Sequence, residues 1–385
     1  MRIGIYGGTF NPPHIGHVRS SEAAALSLGL DLLIVVPSGT PPHKPLPDGT
    51  PPADMRLYMT RSAFADTRNT IVSDIEARKT AASFTIDTVG SIKQDYPGAE
   101  IFLLVGTDMF QSLETWKDAN ELIRAVTPAV FSRGPEDLER IGGCARALYA
   151  RRGVRTEIMH NDVVDISSSE LRFMLPLREG LRYITDTNYS YIIQYRLYGA
   201  KPDWDWLRAK AYAMLDPKRV PHVIGCETEA LRLAERWEVD ADDAREAAIL
   251  HDITKKLGVE DNIRILEEYG IPVGKLEHAE EKLLHAKTGA VLAKGLFGVS
   301  DAVAEAIMWH TTGRADMSAL EKVIYLADYI EPTRDFDGVE KLRTMAYSNL
   351  DDALREGLDM SVMDMKARGI TPNQTTFDAL ASLHS

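Results

Sequence analysis

Hydrophobic and polar positions along this 385-residue chain follow two different rhythms. In the first half, short apolar runs alternate with stretches of helical period. The runs Arg2–Tyr6, Leu32–Pro37, Thr70–Ile75, Ile101–Val105, Val126–Ser132 and Val154–His160 predict strands. The stretches Ile15–Leu28, Asp54–Asp66, Ser83–Asp95 and Pro135–Ala150 predict helices. LLIVVP and IFLLVG are apolar throughout, as expected of strands covered on both faces. The alternation of elements predicts an α/β doubly wound, Rossmann-like parallel sheet with ligands at the carboxyl ends of its strands.

From Asp203 onward no strand pattern stands out. Amphipathic helices are expected at Trp204–Leu215, Arg219–Trp237, Ala241–Leu257, Glu260–Tyr269, Ala279–Phe297, Asp301–His310, Ala319–Ile330, Val339–Arg368 and Asn373–His384. Together they predict an all-α helical bundle. Gly199 and Pro202, in YRLYGAKPDWDW, mark a helix stop and a short linker. Two domains are therefore expected, 1–199 and 200–385, as the length also suggests. The Pro-rich stretch Pro37–Pro52 follows a strand too closely to be a linker and reads as a ligand-covering loop.

Composition narrows this picture. Apolar residues at 44% and charged residues at 26% are ordinary for a soluble globular protein. No apolar run nears the roughly 20 residues that span a bilayer, and the N-terminus lacks the order of a secretory leader. A cytoplasmic protein with no membrane partner is expected. Cys144 and Cys226 lack metal or redox spacing and read as packing residues. Residues 1–199 carry 21 basic and 23 acidic side chains, and residues 200–385 carry 23 and 34. That acidic second half argues against a nucleic-acid surface. It suits small phosphorylated ligands that arrive with metal ions, although solubility alone explains many of those acids.

The opening MRIGIYGGTFNPPHIGH concentrates the candidate chemistry of the first half. Gly7 and Gly8 let a backbone turn approach a phosphate. His14 and His17 share a face at a helix start, where their donors and the helix dipole meet negative charge. Lys44 is a cation that could close over the same phosphates. In ISSSELR, the hydroxyls of Ser167, Ser168 and Ser169 precede Arg172 and form a second phosphate clamp, although by itself this is an ordinary N-cap. Such parts suit in-line attack on the α-phosphate of a nucleoside triphosphate.

GGTFNPPHIGH, PSGTPPHK, SFTIDTV, LLVGTDMF, ETWKD and DISSSELR resemble bacterial nicotinate-nucleotide adenylyltransferase, in order across residues 1–198. The resemblance implies transfer of AMP from ATP to nicotinate mononucleotide, with Mg²⁺, yielding deamido-NAD and pyrophosphate. It places His14, His17 and Arg172 on the ATP phosphates and Lys44 near the mononucleotide phosphate. Gly106 and Asp108 would hold the adenosine side, and Thr85 and Trp116 the nicotinate ring. Thr9 and Phe10 of the GGTF turn, the three serines and Lys117 join the substrate-binding set. Ser169 stands where the family usually has Thr, which keeps a hydroxyl. Pantetheine-phosphate and cytidylyl transferases, which share the T-x-x-x-H-x-G-H core, remain the alternative. The choice between nicotinate and nicotinamide stays open.

The helical half holds a different constellation: His222, His251, Asp252, His285, His310 and Asp328. Asp252 in AAILHDITK and Asp328 in VIYLADYI lie in apolar settings, where an unpaired carboxylate is costly and a metal ion is a fitting partner. One ion would use His222, His251, Asp252 and Asp328, and a second would use Asp252 as a bridge with His285 and His310. Paired ions of this kind serve phosphoryl hydrolysis. LHDITK, LLHAKTGA, WHTTGR and KVIYLADYIEPTR resemble the HD-domain superfamily and its symmetrical bis(5′-nucleosyl)-tetraphosphatases, across residues 205–370. That implies cleavage of diadenosine tetraphosphate to two ADP at an iron-type centre, with Lys255, Arg314 and Arg334 on the phosphates. A nucleotidase or phosphodiesterase acting on another nucleotide, or a nucleotide-sensing module, remains open, as do the metal and any homo-oligomer.

Overall fold

The structure is a computed structural model that describes residues 1–39, 46–79, 82–132, 135–159, 164–273 and 281–383. The chain divides into two compact units, Met1–Lys201 and Pro202–Ser385.

In the first unit, six strands form one parallel sheet: β1 (Arg2–Gly8), β2 (Leu32–Pro37), β3 (Thr70–Val72), β4 (Glu100–Gly106), β5 (Thr127–Phe131) and β6 (Glu157–Met159). Their order is β3-β2-β1-β4-β5-β6. Successive side chains enter opposite cores. Ile3, Ile5, Ile34, Val36, Ile101 and Leu103 pack with Val89 and Ile92 of the Thr85–Asp95 helix. Leu33, Val35, Phe102 and Leu104 pack with Ala24 and Leu28 of the Ile15–Leu28 helix. Both faces are covered, so the central strands lack the polar alternation of a half-wet sheet. Tyr6 pairs with Val35 on one side and Leu104 on the other, which sets the carboxyl ends of β1, β2 and β4 side by side. The strand order reverses between β1 and β4, where such sheets open a ligand crevice.

Three helices of this unit escape the periodic pattern. Thr107–Ser112 and Ala119–Ala125 span only six and seven residues, too short to show a period. Asp186–Gln194, DTNYSYIIQ, has a β-rich composition but is capped by the Thr185 side chain, which accepts from the Asn188 N–H.

The second unit has no strand among the described residues. Its centre is the Ala319–Ile330 helix, buried around its whole circumference by Leu320, Val323, Ile324, Tyr325, Leu326 and Ala327. The helices Val220–Trp237, Ala241–Leu250, Asp301–Trp309 and Leu350–Ala367 surround it. No helix among the described residues is long and apolar enough to cross a membrane.

Two expected helices are corrected here. The one anticipated over Ala241–Leu257 stops at Leu250, and turns follow. The His251 ring bonds the Ala248 carbonyl, a local side-chain bond to the acceptor that a continuing helix would use. The helix anticipated over Val339–Arg368 is two, Val339–Ser348 and Leu350–Ala367. Asn349 between them is extended, and its side chain accepts from the Asp351 and Asp352 N–H groups, starting a new helix. Asn349→Ala is expected to lower the stability of the second unit by about 1 kcal/mol, whereas Asn349→Asp keeps the cap. Urea melts of the full chain, followed by helical circular dichroism, would distinguish them.

Candidate functional sites

The first site gathers at the carboxyl edge of the sheet. A Cβ on Gly7 would meet nothing within 4 Å, so the carboxyl end of β1 has an open face. Thr9 follows, its carbonyl held by Arg56. Phe10 is buried among Tyr6, Phe64 and His17, its ring supporting the turn from below. His14 is the N-cap of the Ile15–Leu28 helix, and its backbone N–H donates to His17 Nδ1 at 3.1 Å. An Nδ1 that accepts leaves the proton of a neutral imidazole on Nε2. The two rings lie 3.7 Å apart, and Gly16 makes that possible, since a Cβ there would stand 2.9 Å from His14 Nδ1.

ISSSELR folds onto this turn from the far end of the unit. Ser167 caps the Ser168–Met174 helix in a reciprocal box with Glu170. Ser168 Oγ donates to the Pro12 carbonyl at 2.8 Å. Arg172 donates to the Asn11 carbonyl at 2.6 Å and to Ser169 Oγ at 3.0 Å. The ordinary cap and the approach to the first motif therefore coexist in one segment. Gly106 is the N-cap of Thr107–Ser112, with Asp108 exposed in its first turn. Thr85 begins the Thr85–Asp95 helix. Beside it, Lys117 Nζ lies 4.2 Å over the Phe84 ring, tying the half-buried Trp116 and its neighbour to the start of that helix. Trp116 Nε1 donates to Ser112 Oγ. Lys44 lies outside the described residues, as does part of the Pro37–Pro52 loop.

Sequence reasoning passed over Arg56. Its side chain is buried and donates to the carbonyls of Thr9 at 2.7 Å, Gly39 at 3.0 Å and Pro51 at 3.2 Å. One guanidinium thus fixes three loop segments at the mouth of the site. In ADMRLYMT it looks like any surface arginine of a helix, and no local signal marks it.

The second site lies inside the helical unit, where all six expected side chains converge. His222 Nε2 stands 3.3 Å from His251 Nε2 and 3.1 Å from Asp328 Oδ1. His285 Nε2 stands 3.2 Å from His310 Nε2. Asp252 lies between the pairs, its Oδ2 3.5 Å from His251 Nε2 and its Oδ1 3.2 Å from His285 Nε2. The other ring nitrogens are committed. His251 Nδ1 bonds the Ala248 carbonyl at 2.7 Å and His310 Nδ1 the Ile307 carbonyl at 2.6 Å. His222 Nδ1 bonds the buried Glu331 carboxylate at 3.0 Å. These partners only accept, so each Nδ1 carries the proton and each Nε2 presents a lone pair. Lys255, a donor only, stands 2.9 Å from His285 Nε2, which assigns that nitrogen a lone pair as well.

Burial pushes His251 and His285 down to about 4, so both rings are neutral near pH 7. Burial works against the Asp252 carboxylate, yet it is held well below the usual range, with Lys255 among the groups that lower it. For Asp328, burial likewise works against the charge, yet the carboxyl is held well below the usual range, with Arg334 among the groups that lower it. Four lone pairs and two carboxylates facing one another repel unless a cation lies among them. Asp252 Oδ1 is buried without a well-aligned hydrogen bond, as expected of an oxygen directed at an ion. This donor set suits divalent transition metals.

Positive groups surround the cluster. Arg219 pairs with Asp252, Arg334 with Asp328 at 2.6 Å, and Lys255 lies 3.6 Å from Asp252 Oδ1. Arg314 is held by Glu321 and Glu305 and would have to leave both to meet a phosphate. Two residues go beyond the sequence expectation. Glu331 orients His222 and is itself fixed by the Thr333 N–H at 2.7 Å. It fits because position 225 is glycine; a Cβ there would stand 2.3 Å from Glu331 Oε2. Cys226, expected as a packing residue, has its Sγ 3.4 Å from His222 Nε2. Burial and the carboxylates of Asp328 and Glu331 push that thiol well above its ordinary value.

Comparison with known proteins agrees with two units of different ancestry. The cytidylyltransferase-like family model matches residues 5–173 and the HD domain model matches residues 219–333. A Pelobacter propionicus protein named probable nicotinate-nucleotide adenylyltransferase is 33% identical over 217 residues, covering 52% of this chain and 100% of its own. A Mycoplasma genitalium protein named probable nicotinate-nucleotide adenylyltransferase/Ap4A hydrolase is 28% identical over 365 residues, 92% of this chain and 95% of its own. A crystal structure from Clostridium acetobutylicum, described as a predicted HD superfamily hydrolase involved in NAD metabolism, is 37% identical, covers 47% of this chain and 96% of that one, and has a TM-score of 0.46. The chain belongs to the nicotinate-nucleotide adenylyltransferase family through its first half and carries an HD domain in its second.

Proposed function

We propose a bifunctional cytoplasmic enzyme in which residues 1–199 transfer AMP from ATP to nicotinate mononucleotide and residues 200–385 hydrolyse diadenosine tetraphosphate to two ADP. The observation that supports the transferase best is the double tie of Ser168 and Arg172 to Pro12 and Asn11, which sets two phosphate-binding segments against each other. The observation that supports the hydrolase best is the set of four imidazole lone pairs facing two buried carboxylates. The Mycoplasma genitalium relative, whose name joins both activities, supports reading them in one chain.

In the transferase, a phosphate oxygen of nicotinate mononucleotide attacks the α-phosphorus of ATP. The bond to the bridging oxygen of the β-phosphate breaks and pyrophosphate leaves. The attacking oxygen is already ionised, so the work of the protein is positioning and charge neutralisation. His14, His17 and Arg172 take the phosphates, with the His17 Nε2–H as a donor. Gly7, Gly8 and Thr9 bring the backbone close. Gly106 and Asp108 receive the adenosine side, Thr85, Trp116 and Lys117 the nicotinate end, and Lys44 the mononucleotide phosphate. Magnesium arriving with ATP neutralises further charge.

In the hydrolase, His222, His251, Asp252 and Asp328 hold one divalent ion of the iron type, and Asp252, His285 and His310 can hold a second. When bound, such ions activate water and offset phosphate charge. Water adds to one of the two central phosphorus atoms, the central P–O–P bridge breaks, and two ADP depart. Lys255 and Arg334 stand where they can meet phosphate oxygens.

Two outcomes test this assignment in the full-length protein. His17→Ala should cut transfer by about 100-fold or more while hydrolysis stays intact, and Asp252→Ala should do the reverse. Loss of both activities from either change would refute two independent sites. The pairing of activities also has a chemical motive, because ATP in place of the mononucleotide would accept AMP and form diadenosine tetraphosphate. The Asp252→Ala protein incubated with ATP and magnesium should accumulate that compound. Accumulation no higher than in the His17→Ala, Asp252→Ala double variant would remove the motive.

A further inference from the structure

Cys226 sits one helical turn after His222 on the Val220–Trp237 helix and is 1% exposed. A cysteine used only for packing lies among apolar side chains. This one has its sulfur 3.4 Å from His222 Nε2. One ligand atom from each of His222, Cys226, His251 and Asp328 can be chosen so that all lie within 4.8 Å of one another.

We propose that Cys226 is a thiolate ligand of the ion assigned to His222, His251, Asp252 and Asp328, so that this end of the centre offers nitrogen, oxygen and sulfur together. This rests on the metal-dependent reading of the second unit. The separations support it. With bonds of about 2.05 Å to nitrogen and about 2.3 Å to sulfur, donors near the tetrahedral angle stand about 3.6 Å apart for a nitrogen–sulfur pair and about 3.4 Å for two nitrogens. The observed separations are 3.4 Å from Cys226 Sγ to His222 Nε2 and 3.3 Å between His222 Nε2 and His251 Nε2. On binding, the S–H bond breaks, its proton passes to bulk water and a sulfur lone pair forms the bond to the ion; nothing is oxidised. The consequence is selectivity. Thiolate favours zinc, cobalt and iron over magnesium. The other end, built from Asp252, His285 and His310, keeps only nitrogen and oxygen donors.

The test uses full-length Cys144→Ser protein, in which Cys226 is the sole thiol of a chain with two cysteines. Stripped of metal and loaded with cobalt(II), it should show visible d–d bands and a near-ultraviolet sulfur-to-cobalt charge-transfer band. Cys226→Ser in that background should keep the d–d bands, lose the charge-transfer band, and lose about tenfold or more of its preference for zinc over magnesium. Visible bands without the charge-transfer band in the Cys144→Ser parent would overturn sulfur ligation and leave the metal centre standing. Absence of both at saturating cobalt would overturn the centre and its thiolate together. The parent spectrum decides even if the Cys226→Ser chain fails to fold.

Discussion

The polarity of helix ends is the constraint on which both sites depend. A helix carries about half a positive charge at its N-terminus and half a negative charge at its C-terminus. In the first unit, three residues of the proposed substrate site stand at N-termini: His14, Gly106 and Ser167 are N-caps. In the second, His251 and His310 are the C-caps of their helices, and Asp328 lies in the last turn of a helix capped by Glu331. On the proposed assignment, anionic substrates would meet positive ends, and a metal cation would meet negative ends at His251, His310 and Asp328. His222 and His285, each near the start of its helix, depart from this rule; His222 is the one that carries its own carboxylate, Glu331.

Histidine is used in opposite ways as a result. His14 and His17 form a close, tilted pair, and the hydrogen bond to His17 Nδ1 leaves its ring N–H on Nε2. The four metal-site histidines bond away or turn aside their Nδ1 groups so that Nε2 is left with a lone pair. The same side chain donates in one unit and accepts in the other, and the neighbouring backbone donor or acceptor decides which.

Much of this was legible in the sequence because the chemistry sits in short contiguous motifs, and because apolar runs report burial directly. The sheet and the central Ala319–Ile330 helix follow from that pattern. What stayed hidden depends on partners distant in the chain. Arg56 matters through carbonyls at Thr9, Gly39 and Pro51, and Glu331 through His222, 109 residues away. Helix ends at Leu250 and Asn349 were missed because side-chain hydrogen bonds, rather than glycine or proline, terminate those helices.

The contact between Gly225 and Glu331 has a consequence for divergence. The carboxylate occupies the volume that any side chain at 225 would need. Neither position is free to drift alone: a larger residue at 225 becomes tolerable only after position 331 has shortened, and that change releases His222. The two sites are therefore epistatic, and related chains should preserve the glycine and the glutamate as a pair or replace them as a pair.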